Sequence, residues 1–108
     1  MIYIICISSL NHLGEAMPAN RIFVDVREPQ EYARGHVKDA INLPPAQIMS
    51  GLPKQLADVP KDTEIVLYCL SGARSGMSMN ILARHGFTNL VNGINLDHIK
   101  AKYGQDIE

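Results

Sequence analysis

Cys69 follows the apolar run Ile65-Val66-Leu67-Tyr68 and opens a loop of small and polar residues, Cys69-Leu70-Ser71-Gly72-Ala73-Arg74-Ser75. A helix-compatible stretch over residues 76–85 comes next. A thiol at the end of a buried strand, on a loop that feeds a helix N-terminus, is set up for nucleophilic chemistry. Free backbone N–H groups in the loop and the first helical turn favour a thiolate or a bound anion. Thiolate is the nucleophile, and such surroundings lower a cysteine pKa from about 8.5 to between roughly 3.5 and 7.5. Arg74 adds a positive charge whose fork of donors matches an oxyanion. The alternative is that Cys69 fills the core, as most free cysteines do. Ser71, Gly72 and Arg74 are poor core residues, which favours the reactive assignment. Cys6, inside the apolar run 2–7, is the contrast case and reads as a buried strand residue.

The elements that must position this loop are legible as alternating patterns. Short apolar runs at 2–7, 22–26, 65–68 and, more weakly, 89–91 read as strands, and 40–43 is a further candidate stopped by Pro44-Pro45. The first three are nearly continuous in apolar residues, as strands covered on both faces are. Helix-compatible segments lie at 10–17, 29–35, 46–51, 76–85 and 95–103, with Pro29 near a start and Gly35, Gly86 and Gly104 at stops. The alternation predicts an α/β fold: a mostly parallel central sheet of about five strands flanked by helices on both faces. In such sheets the sites form beyond the carboxyl ends of strands. Asp25-Val26-Arg27 ends one strand and Cys69 ends another, so neighbouring strands would bring both sets to one rim.

The chain as a whole narrows the classes. Its 108 residues predict a single domain spanning 1–108. A composition 46% hydrophobic and 19% charged is ordinary for a globular protein, and a formal net charge of −1 with scattered basic residues favours neither nucleic acid nor a membrane surface. The four histidines and two cysteines have no metal-ligand spacing and imply no cofactor. Two cysteines of such different context suggest free thiols in a reducing compartment. The apolar stretch 1–10 has no charged n-region, since the first Lys or Arg is Arg21, and is too short to span a bilayer. It reads as a first strand, with the cytoplasm as the expected location.

Three stretches together resemble the rhodanese family of single-domain sulfurtransferases. One is Phe23-Val24-Asp25-Val26-Arg27-Glu28-Pro29-Gln30-Glu31-Tyr32 with Gly35-His36-Val37 and Ala40-Ile41-Asn42-Leu43-Pro44. The second is the loop from Cys69 to Ser75, and the third is Gly86-Phe87-Thr88-Asn89-Leu90-Val91-Asn92-Gly93. Asp39 stands where the family often has Gly, and the aromatic common after the downstream Gly is missing. The resemblance implies a rhodanese-like domain and a double displacement. A donor such as thiosulfate gives its sulfane sulfur to Cys69, and the persulfide passes it to cyanide, a thiol or a protein acceptor. Backbone N–H groups from Leu70 to Ser75 would then cradle the persulfide, with Gly72 allowing the turn and Arg74 holding the sulfonate end of the donor. Ser71 and Ser75 could donate hydroxyl hydrogen bonds, and Ser75 could equally be the N-cap of the following helix.

The remaining candidates have structural readings. Asp25 and Arg27 read first as an ion pair bracing the rim and second as site residues. Glu28 and Glu31 read as a first-turn charge and a solvated helix face, His36 as a group satisfying carbonyls at a helix end, and His85 and His98 as surface or capping residues. Met77 and Met79 read as helix packing or an apolar wall for a polysulfide. Two rival functions share the loop. A cysteine phosphatase or arsenate reductase would use Cys-x5-Arg, whereas the spacing here is Cys-x4-Arg, a tighter cradle suited to one sulfur. A non-catalytic binding module would keep the fold and has no need of Cys69.

Overall fold

The computed structural model describes residues 21–108. Strand β1 (Arg21–Asp25) leads into helix α1 (Pro29–Ala33), strand β2 (Ile41–Asn42), helix α2 (Pro45–Met49) and a 3-10 turn at Lys54–Leu56. Strand β3 (Glu64–Tyr68), helix α3 (Ala73–Arg84), strand β4 (Leu90–Ile94) and helix α4 (Leu96–Tyr103) complete it. The order across the sheet is β2-β1-β3-β4, and every pairing is parallel. The described sheet thus has four strands rather than about five. The expected strand at 2–7, with Cys6, and the expected helix at 10–17 lie outside the described residues. No described helix is long and apolar enough to cross a membrane.

The continuous apolar runs are explained by burial on both faces. On one face Val24, Val26, Ile65 and Leu67 pack with Ile48 of α2, Leu56 and Leu82 of α3. On the other, Phe23, Val66 and Tyr68 pack with Ile99 of α4, and Tyr32 of α1 lies against them. Period-two alternation along β1 and β3 divides these residues between two cores.

Register places the chemistry. Asp25 is opposite Tyr68, so the ends of β1 and β3 are level, and the Val26 N–H reaches the Tyr68 carbonyl at 3.0 Å. Cys69 and Arg27 therefore leave the sheet at the same rim. Helix α3 begins at Ala73, earlier than the predicted 76, because Gly72 takes a left-handed φ of 93° and its carbonyl accepts the Gly76 N–H at 2.9 Å. Strand β4 is longer than the predicted 89–91 and carries a bulge. Leu67 pairs with Asn92 and Tyr68 with Ile94, which leaves Gly93 as the extra residue.

Candidate active site

The Cys69 side chain is folded back under its own loop, leaving the residue 1% exposed. Its backbone N–H donates to the Ile94 carbonyl at 3.0 Å, which fixes the start of the loop to the bulged end of β4. The sulfur accepts the Gly72 N–H at 3.1 Å and lies 3.6 Å from the Ser75 hydroxyl. Burial pushes the Cys69 thiol up, but the backbone N–H and hydroxyl of Ser75, with the N–H groups of Gly72 and Ser71, outweigh it and bring it down to about 7. The helix macrodipole of α3 acts in the same direction. Gly72 can form this turn because it has no Cβ to oppose a left-handed φ.

Ser75 is not the N-cap. That position belongs to Gly72, which offers no capping side chain. Ser75 sits in the first turn of α3, and its hydroxyl lies 3.1 Å from the Gly72 carbonyl and 2.7 Å from Asn92 Oδ1. Asn92, part of the third stretch but without a role assigned from the residues, is the support of the loop. Its Nδ2 donates to the Gly72 carbonyl at 3.0 Å, and its Oδ1 also accepts the Ile94 N–H at 3.0 Å. Asn95, the true N-cap of α4, receives the His98 N–H at 2.8 Å and reaches back to the Leu70 carbonyl at 3.4 Å. The sequence signal for Asn92 was faint: an Asn-Gly pair inside an otherwise strand-like run.

At the rim, Asp25 is fully buried against Arg27. The Arg27 Nη2 donates to Asp25 Oδ2 at 2.7 Å, its Nε to Oδ1 at 2.9 Å, and Nη2 continues to the Gly35 carbonyl at 2.6 Å. The Tyr68 hydroxyl donates to Asp25 Oδ2 at 2.8 Å and accepts the Val37 N–H at 3.0 Å. Burial first, then the neighbouring Asp25, pushes the Tyr68 phenol well above its ordinary range, so it stays a donor. The network ties β1, β3 and the segment after α1 into one unit.

Arg74 is engaged. Its Nη1 donates to Glu31 Oε1 at 2.9 Å and its Nη2 lies 3.4 Å from Oε2. Glu31 is therefore not a solvated helix face. Its Oε1 also accepts the Glu28 N–H at 2.8 Å, closing a capping box over the start of α1. The Arg74 guanidinium holds the Glu31 carboxyl down at about 2. His36 stacks on Tyr32, with Nδ1 2.9 Å from the Tyr32 carbonyl and Nε2 3.2 Å from a Glu108 carboxylate oxygen. His98 is exposed and His85 caps the end of α3. Met79 packs against the core, whereas Met77 is 54% exposed and is not a packing residue.

Beside the loop lies a groove of about 400 Å³ bordered by Arg27, Glu31, Arg34, Gly35, Leu70, Leu96 and Ile107. Leu70, which directly follows Cys69, is 57% exposed at its mouth. The arrangement offers a lowered thiol, inward-pointing N–H groups, an arginine (Arg74) within the loop, and an adjoining groove. That combination suits a thiolate taking up a group that then carries negative charge.

The chain belongs to the family of the rhodanese-like domain, whose model matches residues 9–95. It is 38% identical over 71 residues to a sulfurtransferase of Allochromatium vinosum, covering 66% of this chain and 63% of that one. It is 32% identical over 77 residues to the thiosulfate sulfurtransferase PspE of Escherichia coli, covering 71% and 72%. A tRNA uridine(34) hydroxylase of Hamiltonella defensa matches 89% of this chain at 33% identity, a match that spans 31% of the hydroxylase. Among solved structures, a rhodanese with anions from E. coli superposes with a TM-score of 0.63 at 31% identity, covering 73% of this chain and 91% of the other. The domain thus has sulfurtransferases among its relatives and occurs within longer proteins as well.

Proposed function

We propose that the protein is a sulfurtransferase that carries sulfane sulfur as a persulfide on Cys69. The observation that carries this reading is the sulfur's position at the N-terminus of α3, 3.1 Å from the Gly72 N–H, with its thiol brought down to about 7. At neutral pH about half of such a thiol is ionised, against a few per cent for a free cysteine.

In the first half-reaction the Cys69 thiolate attacks the outer sulfur of a donor such as thiosulfate. A new S–S bond forms, the donor's own S–S bond breaks, and sulfite leaves with the bonding electron pair. The persulfide keeps a single negative charge on its terminal sulfur, stabilised by the loop N–H groups. In the second half-reaction an acceptor nucleophile, cyanide or a thiolate, attacks that terminal sulfur and Cys69 departs as thiolate. Arg74 would bind the sulfonate end of the donor, and the groove beside Leu70 supports an acceptor larger than cyanide, including a thiol on a small molecule or another protein. Asp25 and Arg27 support the rim and take no part in bond making.

The test is intact mass after mixing reduced protein with thiosulfate, beside Cys69→Ser. One added sulfur on the wild type alone is expected. No sulfur gained from thiosulfate or from a polysulfide, or equal gain by Cys69→Ser, would overturn the assignment.

A further inference from the structure

Arg74 is the cation the loop offers to a donor, yet a carboxylate already occupies it. The contact joins α3 to α1 across 43 residues of sequence and engages both terminal nitrogens of the guanidinium. Such a fork holds a carboxylate or a sulfonate by the same geometry, so the two compete for one face. Glu31 is also held in place independently of Arg74, because its Oε1 accepts the Glu28 N–H at 2.8 Å in the capping box. A carboxylate pinned in this way stays at the mouth when Arg74 turns to another anion. It also borders the groove that adjoins the loop.

We infer that Glu31 sets the affinity of the sulfur-transfer site for oxyanions: an internal carboxylate that occupies Arg74 between turnovers, gives Arg74 up to the donor's oxyanion, and reclaims it from the oxyanion product. The inference rests on the sulfurtransferase reading for its meaning in turnover, but the competition itself is a property of binding. Because Glu31 opposes donor and product alike, it weakens thiosulfate and sulfite by the same factor. It acts on binding common to ground and transition states, and so on KM rather than on the chemical step. Its carboxyl is ionised throughout the working pH range, which makes it a constant competitor rather than a pH switch.

Glu31→Gln separates this role from capping. Glutamine keeps a carbonyl oxygen for the Glu28 N–H and so preserves the cap, but it brings no negative charge to Arg74. In kinetic assays the KM for thiosulfate and the inhibition constant for sulfite should both fall, roughly three- to fivefold, the range of a half-exposed ion pair. A purely structural Glu31 would move neither in that direction.

The deciding measurement removes chemistry altogether. Thiosulfate is titrated calorimetrically into Cys69→Ser and into Cys69→Ser/Glu31→Gln, with circular dichroism to verify that both are folded. Binding tighter by about three- to fivefold in the second protein is expected. Equal or weaker binding there, or no binding to either, overturns the proposal. If the titration succeeds while the wild type never accepts sulfur, the competition at Arg74 stands and the sulfurtransferase reading falls. The converse result leaves sulfur transfer standing and removes Glu31 from it.

Discussion

Replacing Ser75 by alanine should raise the pKa of Cys69 by a limited amount that the geometry bounds. The Ser75 hydroxyl has one proton and three acceptors within reach: Asn92 Oδ1 at 2.7 Å, the Gly72 carbonyl at 3.1 Å and the Cys69 sulfur at 3.6 Å. The longest of these contacts is the one to sulfur, and donating to a thiolate there means leaving Asn92. Asn92 Oδ1 still keeps the Ile94 N–H at 3.0 Å, so the exchange strands no acceptor. A hydrogen bond to a charged group is worth about 1.5–3 kcal/mol, and this competition cuts that to about 0.7–1.4. At 1.36 kcal/mol per pKa unit, the thiol moves from about 7 to roughly 7.5–8.

The assay is the rate of iodoacetamide alkylation against pH, in a Cys6→Ser background so that one thiol reports. At pH 6.5 the variant should react roughly three- to eightfold more slowly, while the rates converge above pH 9. By linkage, the wild-type thiol adds stability that is complete above the pKa of the unfolded thiol and lost as pH falls through about 7. Ser75→Ala should narrow that window from its lower edge. An unchanged or lower midpoint in Ser75→Ala would refute the hydroxyl's part and leave the cradle to backbone N–H groups alone.

Two further substitutions test the frame. Asp25→Asn removes the carboxylate that neutralises Arg27, which is itself only 5% exposed. The loss should be about 3–5 kcal/mol in urea unfolding, as for a buried charge stripped of its partner. A loss below about 1 kcal/mol would mean that the network is not holding the rim. Gly93→Ala places a Cβ 2.8 Å from Val66 Cγ1, 3.2 Å from the Leu67 carbonyl and against Ile99 Cδ1. It should cost about 1–3 kcal/mol by overpacking, seen in thermal melts, and an unchanged melting temperature would show that the bulge has slack.

What could be read from the residues was whatever depended on local pattern. Continuous apolar runs marked β1 and β3, and the thiol closing the second run marked the candidate site. The contacts missed were those set by register across the sheet. Tyr68 looks like one more apolar strand residue until pairing with Asp25 brings its hydroxyl onto that carboxylate. Glu31 and Arg74 are 43 residues apart, and only the parallel order of β1 and β3 puts α1 beside the start of α3. From the residues Glu31 reads as a solvated helix face, and neither its bond to the Glu28 N–H nor its pairing with Arg74 is visible there. Asp39, standing where the resemblance led one to expect Gly, has a φ of 66°, a left-handed turn that aspartate enters more readily than most residues.

Ile94 shows how strain in the frame and order in the loop are connected. It has a φ of 70°, an expensive conformation for a β-branched residue. Three neighbours enforce it. Gly93 sits where no side chain fits, the bulge shifts Ile94 opposite Tyr68, and Asn92 Oδ1 holds the Ile94 N–H. The result is that the Ile94 carbonyl faces the Cys69 N–H, while the Asn92 side chain is left reaching the Gly72 carbonyl and the Ser75 hydroxyl. With Asn92 still opposite Leu67, a regular β4 would put Gly93 opposite Tyr68 and move Ile94 one position further on. The Ile94 carbonyl would then leave the Cys69 N–H, and the Ile94 N–H would leave Asn92 Oδ1. Backbone strain of order 1–3 kcal/mol at one residue is thus offset by the contacts that keep the N–H groups aimed at the sulfur before any substrate arrives.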